Sequence, residues 1–459
     1  MTASHYDVLD PATLELVGQA PEQTGQDVEH AVAAARAAAP GWSADREARR
    51  SALRAGAALI RRDLDRLSTL LSREQGKPKA DAAGEFTVAA GLFEYYADLA
   101  WDEVEPLPPR ADRTLEVQYR PVGTVGTITP WNFPISLLSV KLAPALVAGC
   151  TVVAKPSPST PLSTIALVDL LNEVLPAGVL QVRTSSRRTV NVALSTSPGI
   201  RKISFTGSTD VGISIAQQAA PTVKRVTMEL GGNDPAIVLD DADIETTARG
   251  IVGSAFRNAG QVCMAVKRVY VPRSRSKELS EAVAAEAARL VLGHGIAEGT
   301  TMGPMHNESQ LKLVRGLVDS AVGAGARVIT GGNPGCDLPG YFLSPTVVVD
   351  AEPGMDLVEQ EQFGAALPIV AYDDLDATIA RLNGGEFGLG ASVWSPDHVR
   401  AHGVASRIEA GTVWINQHTL VEPDAPFGGW KSSGLGRERG RWGLEEYLET
   451  RVINARPHA

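Results

Sequence analysis

Cys263, in the run Gly260-Gln261-Val262-Cys263-Met264-Ala265, and Glu229, in Met228-Glu229-Leu230-Gly231-Gly232-Asn233, pair a thiol with a carboxyl. Each sits among glycines and small residues, where a substrate carbonyl can approach the backbone closely. Together they suit covalent capture by sulfur followed by base-assisted hydrolysis. Taken singly, each has a plainer reading. A lone cysteine is commonly a small buried hydrophobe, the reading kept for Cys150 and Cys336. A lone Glu229 is an ordinary solvated or ion-paired carboxylate. A third group lies in Pro130-Trp131-Asn132-Phe133-Pro134. There two prolines fix a turn around an amide that can donate to a developing oxyanion, or simply bond its own backbone.

Such residues need rigid elements to hold them. From Cys150 onward, short β-branched runs (151–153, 202–205, 223–227) alternate with helical stretches (162–174, 208–219), which predicts βαβ units and a parallel sheet. A second α/β region follows Leu230, with strands at 236–239, 268–271, 346–349 and 412–415. Residues 114–120 and 447–453 alternate polar with apolar and read as half-exposed strands outside both sheets, open to subunit pairing. Pro106, Pro108 and Pro109 punctuate the approach to the first of them. Leu53, Ile60, Leu64, Leu67 and Leu71 recur at helical spacing, so about 47–74 reads as one amphipathic helix ending before Gly76-Lys77-Pro78. No Gly-x-Gly-x-x-Gly follows a strand. Instead Thr206-Gly207-Ser208-Thr209-Asp210 places a glycine and hydroxyls at a helix N-terminus, either a cradle for phosphate or a plain helix cap.

Composition narrows the partners. With 459 residues the chain exceeds what one core supports, so two or three lobes with a cleft are expected. Hydrophobic residues at 44% and charged at 21%, with no long apolar run, describe a globular protein with no membrane role. A formal net charge of -10 disfavours nucleic acid. Three scattered cysteines without Cys-x-x-Cys spacing predict neither a disulfide framework nor a metal site, and Met1-Thr2-Ala3-Ser4-His5 carries no signal segment; a reducing cytoplasm fits best.

Pro130 to Pro134, Lys155-Pro156-Ser157, Phe205 to Gly212, Glu229 to Gly232, Gly260 to Cys263, Glu361-Gln362-Phe363-Gly364 and Pro426-Phe427-Gly428-Gly429 occur in the order and spacing of the aldehyde dehydrogenase superfamily, which the chain resembles over nearly its whole length. The resemblance implies an α/β fold in three parts. These are a Rossmann-like cofactor domain of parallel strands (1–104 and 122–230), an α/β catalytic domain (231–432), and a small β arm and tail for oligomerisation (105–121 and 433–459). It implies a homodimer or homotetramer using NAD or NADP on a small-molecule aldehyde. Cys263 would form a thiohemiacetal held by the Asn132 amide and the Cys263 N–H, and Glu229 would activate the water that opens the thioester. Trp131, Gly207 and Ser208 would lie near the pyrophosphate, Lys155 with Ser157 and Pro158 near the adenosine ribose, Thr206 and Leu230 near the nicotinamide, and Glu361 with Phe363 at its ribose. A free thiol titrates at about 8.5, so helix N-termini or the nicotinamide charge must help Cys263, and activity should rise toward alkaline pH.

Departures from the family pattern shape the rest. Pro158 stands where many NAD-preferring members carry a ribose-binding glutamate, which weakens exclusion of NADP. Ser185, Arg187 and Asn191 stand where the family often has glycines, either crowding the adenine or letting Arg187 and Arg188 meet a 2'-phosphate. Ala365 replaces a usual proline, with little consequence expected. Arg257 matches an arginine that holds the distal carboxylate in members acting on succinic semialdehyde, or else is a structural ion pair. The second such arginine is Val140 here, which argues against a tight diacid clamp and for a medium-sized aldehyde. Phe133, His418 and Leu420 complete the expected substrate lining. Two rival readings are a CoA-acylating dehydrogenase, against which Glu229 argues, and a non-catalytic dinucleotide-binding or structural protein of the same fold.

Overall fold

The computed structural model describes residues 4–108 and 110–456; Met1 to Ala3, Pro109 and the last three residues, on which part of the N-terminal, proline and tail readings fell, lie outside the described residues. Two sheets organise the chain. The first orders its strands as Gly434–Leu435, Arg225–Glu229, Lys202–Thr206, Thr124–Ile128, Thr151–Lys155 and Leu180–Val182, all parallel except the short Gly434–Leu435, which runs antiparallel on Glu229 and Met228. Thr124–Ile128, Thr151–Lys155 and Lys202–Thr206 are buried at every position. Helices cover both faces, and a parallel sheet so covered needs near-continuous apolar strands rather than alternation.

The second sheet orders Arg327–Thr330, Thr346–Val349, Ala366–Tyr372, Arg268–Pro272, Pro235–Val238, Gly390–Trp394 and Thr412–Ile415, parallel apart from the antiparallel edge strand Arg327–Thr330. A three-stranded antiparallel ribbon of Leu448–Ala455, Thr114–Pro121 and Val104–Pro106 stands outside both sheets; the alternation of 114–120 and 447–453 predicts the first two strands, and Val104–Pro106, within the stretch read as proline punctuation, is the third. Of the stretch 433–459 expected to belong to the arm, Gly434 and Leu435 instead return to the first sheet, because their backbone closes its edge beside Glu229.

The single helix expected over 47–74 is two, Arg46–Arg62 and Leu64–Gln75. Asp63 leaves helical geometry between them at φ -99°, ψ 12°, while Gly76 ends the second helix at φ 101°. The apolar stripe runs through the break, which is why periodicity alone does not reveal it. Val223, expected in a strand, adopts φ 50° in a tight turn, and the strand starts at Arg225. Against these elements packs Pro134–Ala148, which has proline at its first turn and nearly every side chain buried.

Candidate active site

Along the first sheet, Thr124–Ile128 leads to Thr151–Lys155 and Leu180–Val182 on one side, then the chain crosses back to Lys202–Thr206 and Arg225–Glu229 on the other. Strand order therefore reverses between Thr124–Ile128 and Lys202–Thr206. In open parallel sheets such a switch opens a crevice at the carboxyl ends of the strands. Those ends carry Glu229, Thr206, the Thr129-Pro130-Trp131 turn and Lys155, in that spatial order. At about 4.8 Å per strand, Glu229 and Lys155 stand roughly 14 Å apart, a span suited to an extended dinucleotide.

A cavity of about 240 Å³ opens there, lined by Pro130, Trp131, Asn132, Thr206, Gly207, Ser208, Leu230, Gly231, Cys263, Glu361 and Phe363, together with Leu137, Gln310 and Leu313. Thus Cys263 and Asn132 share one opening with seven of the residues assigned to the cofactor. Glu229 lies behind it, 4% exposed, next to the lining residue Leu230. Lys155, Ser157 and Pro158 stand farther along the same sheet edge, outside this cavity. The Ser157 hydroxyl meets that of Ser159 at 3.1 Å. Burial, opposed by Glu22, draws the Lys155 ammonium down to about 8.

The Cys263 loop is built by backbone geometry. Asn258, Ala259 and Gly260 take φ of 50°, 54° and 74°, three left-handed residues that turn the chain sharply after Ile244–Ala255. Gly260 is required here twice over, since an added Cβ would lie 2.2 Å from the Gly364 carbonyl oxygen. Asn132 donates its side-chain amide to the Gln261 carbonyl at 2.9 Å, not to its own backbone. That leaves the second N–H of the amide for a substrate oxyanion. The Asn132 carbonyl in turn accepts from Lys77 Nζ at 2.7 Å and from Asn258 Nδ2 at 3.1 Å. Lys77 also pairs with Glu85, whose other oxygen accepts from the Ile135 and Ser136 N–H groups at 3.2 and 3.0 Å, at the start of Pro134–Ala148. A buried ion pair therefore ties the Asn132 turn, the Pro134 helix and the Cys263 loop into one rigid platform. In the sequence, Gly76-Lys77-Pro78 signals only the end of a helix.

Electrostatics restrain the nucleophile. Burial, with Glu361, Asp234 and Glu229 adding negative charge, pushes the Cys263 thiol up to about 12 against the pull of Lys267. Lys267, missed in the sequence, is buried beneath the loop and donates to the carbonyls of Val262 and Gly260, with its ammonium 5.1 Å from the Phe363 ring. Among the described residues, neither Glu229 oxygen has a hydrogen-bond partner. Burial and the neighbouring Glu438 raise its pKa well above the usual carboxylate range, while Lys141 and Arg437 oppose them. Lys141 and Glu438 form their own buried ion pair. Glu361 accepts from the Gly232 N–H at 3.2 Å and is pushed up to about 7, chiefly by burial.

The residues present fit a nicotinamide dinucleotide. Thr206 Oγ1 and Asn132 Oδ1 are buried without partners, Gly207 and Gly231 keep side chains out of the crevice, and the N-terminus of Thr209–Ala219 opens onto it. Ser208 makes no side-chain cap bond to this helix, so the plain-cap alternative lacks its defining contact. Trp131 is held by stacking on His306 at 4.6 Å and by the edge of Phe363 at 5.5 Å.

On the expected substrate side, Phe133 lies under two cations, Lys77 at 3.7 Å and Arg257 at 5.6 Å from its ring centroid. Arg257 is exposed and makes no ion pair among the described residues, so its structural ion-pair alternative is not what the fold contains. Leu420 is 54% exposed. His418, expected to line the substrate path, turns inward onto Asp234 and Trp414 instead. Near the adenine end, Ser185 and Ser186 donate their hydroxyls to Glu22, which leaves Arg187 and Arg188 exposed.

Residues 1–453 match the model of the aldehyde dehydrogenase family. The chain is 39% identical to the glutarate-semialdehyde dehydrogenase of Pseudomonas putida, over 97% of this chain and 93% of that one. It is 38% identical to the NADP(+) succinate-semialdehyde dehydrogenase of Escherichia coli with the same coverage. Among solved structures, an E. coli NADP-dependent enzyme superposes with a TM-score of 0.96 at 37% identity, covering 99% of this chain and 95% of that chain. The NAD+ complex of Staphylococcus aureus betaine aldehyde dehydrogenase does so with a TM-score of 0.96 at 33% identity, covering 99% and 93%. This chain therefore belongs to the aldehyde dehydrogenase family and is an NAD(P)-dependent enzyme that oxidises an aldehyde to its carboxylic acid.

Proposed function

We propose that the substrate is an aldehyde of medium length bearing an acidic group at its far end, oxidised by hydrolytic rather than CoA-dependent chemistry. The observation that carries this reading is Arg257, whose guanidinium makes no ion pair or hydrogen bond among the described residues and is set over Phe133, one residue from Asn132. An unpaired arginine presents a planar fork suited to a carboxylate or sulfonate. Glutarate-semialdehyde, succinate-semialdehyde and 3-sulfolactaldehyde dehydrogenases are among the relatives, and each name denotes an aldehyde with such a group. Val140 is buried, so a second arginine clamp is missing at that position and selectivity for chain length should be modest.

In this reading Cys263 Sγ attacks the aldehyde carbon, and the tetrahedral oxyanion is held by the free N–H of the Asn132 amide and the Cys263 N–H. When bound, NAD(P)+ would supply the acceptor for the hydride that this thiohemiacetal gives up in becoming a thioester. Thr206, Leu230, Glu361 and Phe363 would orient the nicotinamide end, with Trp131, Gly207 and Ser208 at the pyrophosphate and Lys155, Ser157 and Pro158 at the adenosine ribose. Glu229 takes a proton from water, whose oxygen bonds to the acyl carbon as the C–S bond breaks and the thiol is restored. Residues 1–104 and 122–230 would bind the cofactor, 231–432 carry the catalytic loop, and the outer ribbon join two or four copies. Pro158 and the exposed Arg187 and Arg188 favour use of both NAD and NADP. A cytoplasmic location agrees with three unpaired cysteines, and no helix among the described residues is long and apolar enough to cross a membrane.

A panel of succinic and glutaric semialdehydes, sulfolactaldehyde, butanal and hexanal, run with NAD or NADP and with or without CoA, tests the reading. The acidic aldehydes should have the higher kcat/KM, and Arg257→Leu should remove that advantage without altering butanal turnover. Turnover that requires CoA, or a preference for the uncharged aldehydes, overturns it.

A further inference from the structure

Asp234 and His418 form a buried pair that the chemistry above leaves unused. Asp234 directly precedes Pro235–Val238, and its Oδ1 accepts the Gly390 N–H at 3.0 Å while its carbonyl accepts the Lys267 N–H at 2.9 Å. Among the described residues Asp234 Oδ2 has no hydrogen-bond partner, and His418 Nε2 lies 3.6 Å from it. The imidazole is wholly buried, neither of its nitrogens is hydrogen-bonded, and it rests on Trp414 at 4.6 Å between centroids. A buried carboxylate oxygen left without a donor is costly, and the imidazole is what faces it.

Around this pair the loop that follows Thr412–Ile415 is tightly fixed. The Trp414 indole donates to the Leu420 carbonyl at 2.7 Å, and the Asn416 side chain bonds both the N–H and the carbonyl of Ser395, at 2.9 and 2.8 Å. Asn416 and Thr419 take φ of 55° and 66°. For a β-branched threonine that conformation is strained and persists only where the surroundings enforce it. Its consequence is directional: His418 points into the core and Leu420, two residues on, points out. The segment starts beside Asp234, whose charge acts on the Cys263 thiol, and ends at Gly428, where an added Cβ would stand 2.8 Å from Glu229 Oε1. It therefore connects the surroundings of the nucleophile to those of the general base.

We propose that His418 and Asp234 are positioning residues that fix the aldehyde-facing loop: the pair draws residue 418 inward and, through the left-handed Thr419, presents Leu420 to the substrate. This rests on the expectation, implied by the family resemblance, that Leu420 borders the aldehyde. Neither residue is assigned contact with the reacting atoms. Loss of the pair should loosen the loop and weaken aldehyde binding while sparing the cofactor and the chemical step.

Steady-state kinetics on the intact enzyme with its best aldehyde from the panel, at saturating cofactor, tests the proposal. His418→Leu is expected to raise the aldehyde KM about tenfold, with kcat and the cofactor KM within about twofold. His418→Gln, which keeps an N–H, should recover part of the loss. Should His418→Leu fail to fold because Asp234 is left orphaned, the double variant Asp234→Asn/His418→Leu, which removes the charge and the imidazole but keeps an oxygen for the Gly390 N–H, is expected to show the same tenfold rise, not a larger one. An unchanged aldehyde KM in the variant that folds overturns the proposal. So does a parallel fall in kcat, cofactor affinity and thermal stability, which marks a general structural role. Wild-type preference across the panel is read separately, so failure of the acidic-aldehyde reading does not imitate failure here.

Discussion

Cys263 alkylation gives the sharpest test of the electrostatics. Its thiol is pushed up to about 12 by burial and by the charges of Glu361, Asp234 and Glu229. A free thiol at about 8.5 is already partly ionised at pH 8. The folded enzyme without cofactor should then hold roughly two-thousandfold less thiolate at that pH, since each unit is a factor of ten. Iodoacetamide labelling of the Cys263 peptide, followed by mass spectrometry, should be correspondingly slow and rise about tenfold per pH unit without a plateau below pH 10. Glu361→Gln removes the charge named first after burial and should speed labelling at pH 8, about tenfold if the shift is one unit. Lys267→Met removes the nearest opposing cation and should slow it further. Added NAD+ brings a positive ring to the cavity and should speed labelling if the cofactor activates the nucleophile. A plateau below pH 9 in the cofactor-free enzyme, or no acceleration in Glu361→Gln, would refute this account of the thiol.

Cys263→Ala should abolish turnover, whereas Glu229→Gln should release a burst of reduced cofactor and then stall, seen by stopped-flow absorbance; a steady rate in either variant contradicts its assigned step. Lys77→Met orphans the buried Glu85 and should destabilise the fold by about 3–5 kcal/mol in urea titration, with kcat lowered because the Asn132 turn loosens. Glu74 is buried, caps Leu162–Leu171 through the Leu162 and Ser163 N–H groups, and is pushed up to about 7. A folded-state pKa above the unfolded value contributes stability at low pH that is lost as pH rises from about 4.5 through 7. Thermal melts should therefore lose roughly 3 kcal/mol across that window from this group, and Glu74→Gln should flatten the loss. Gly260→Ala places a methyl against the Gly364 carbonyl and demands φ 74° of an L-residue, so it should cost both stability and activity, measured by melting and by the aldehyde assay.

The chemistry and its order along the chain were legible in the sequence because glycine, proline, cysteine and glutamate act locally. Gly260 must permit a left-handed turn wherever it is placed, and Pro130 and Pro134 fix the Asn132 turn without help from distant residues. The parallel sheets were likewise announced by β-branched runs alternating with helical stretches. Strand Thr124–Ile128, which sits at the switch point of the first sheet, escaped notice, since five buried residues of Thr, Val, Gly, Thr and Ile show no period. The break at Asp63 escaped for the opposite reason, the period continuing unchanged across it.

Contacts between residues far apart in the chain were decided only by folding. Lys77 reaches the Asn132 carbonyl, Lys267 comes under the charge of Glu361, and Glu438 approaches Glu229 from more than 200 positions away. His418 makes the point most directly: its type and place in a substrate-side loop suggested a lining residue, and the buried oxygen of Asp234 draws it inward. Local conformation follows from a residue and its neighbours, and one sequence states it. The partner of a buried charge depends on which segments share a low-dielectric interior, and that is fixed only when the two sheets pack.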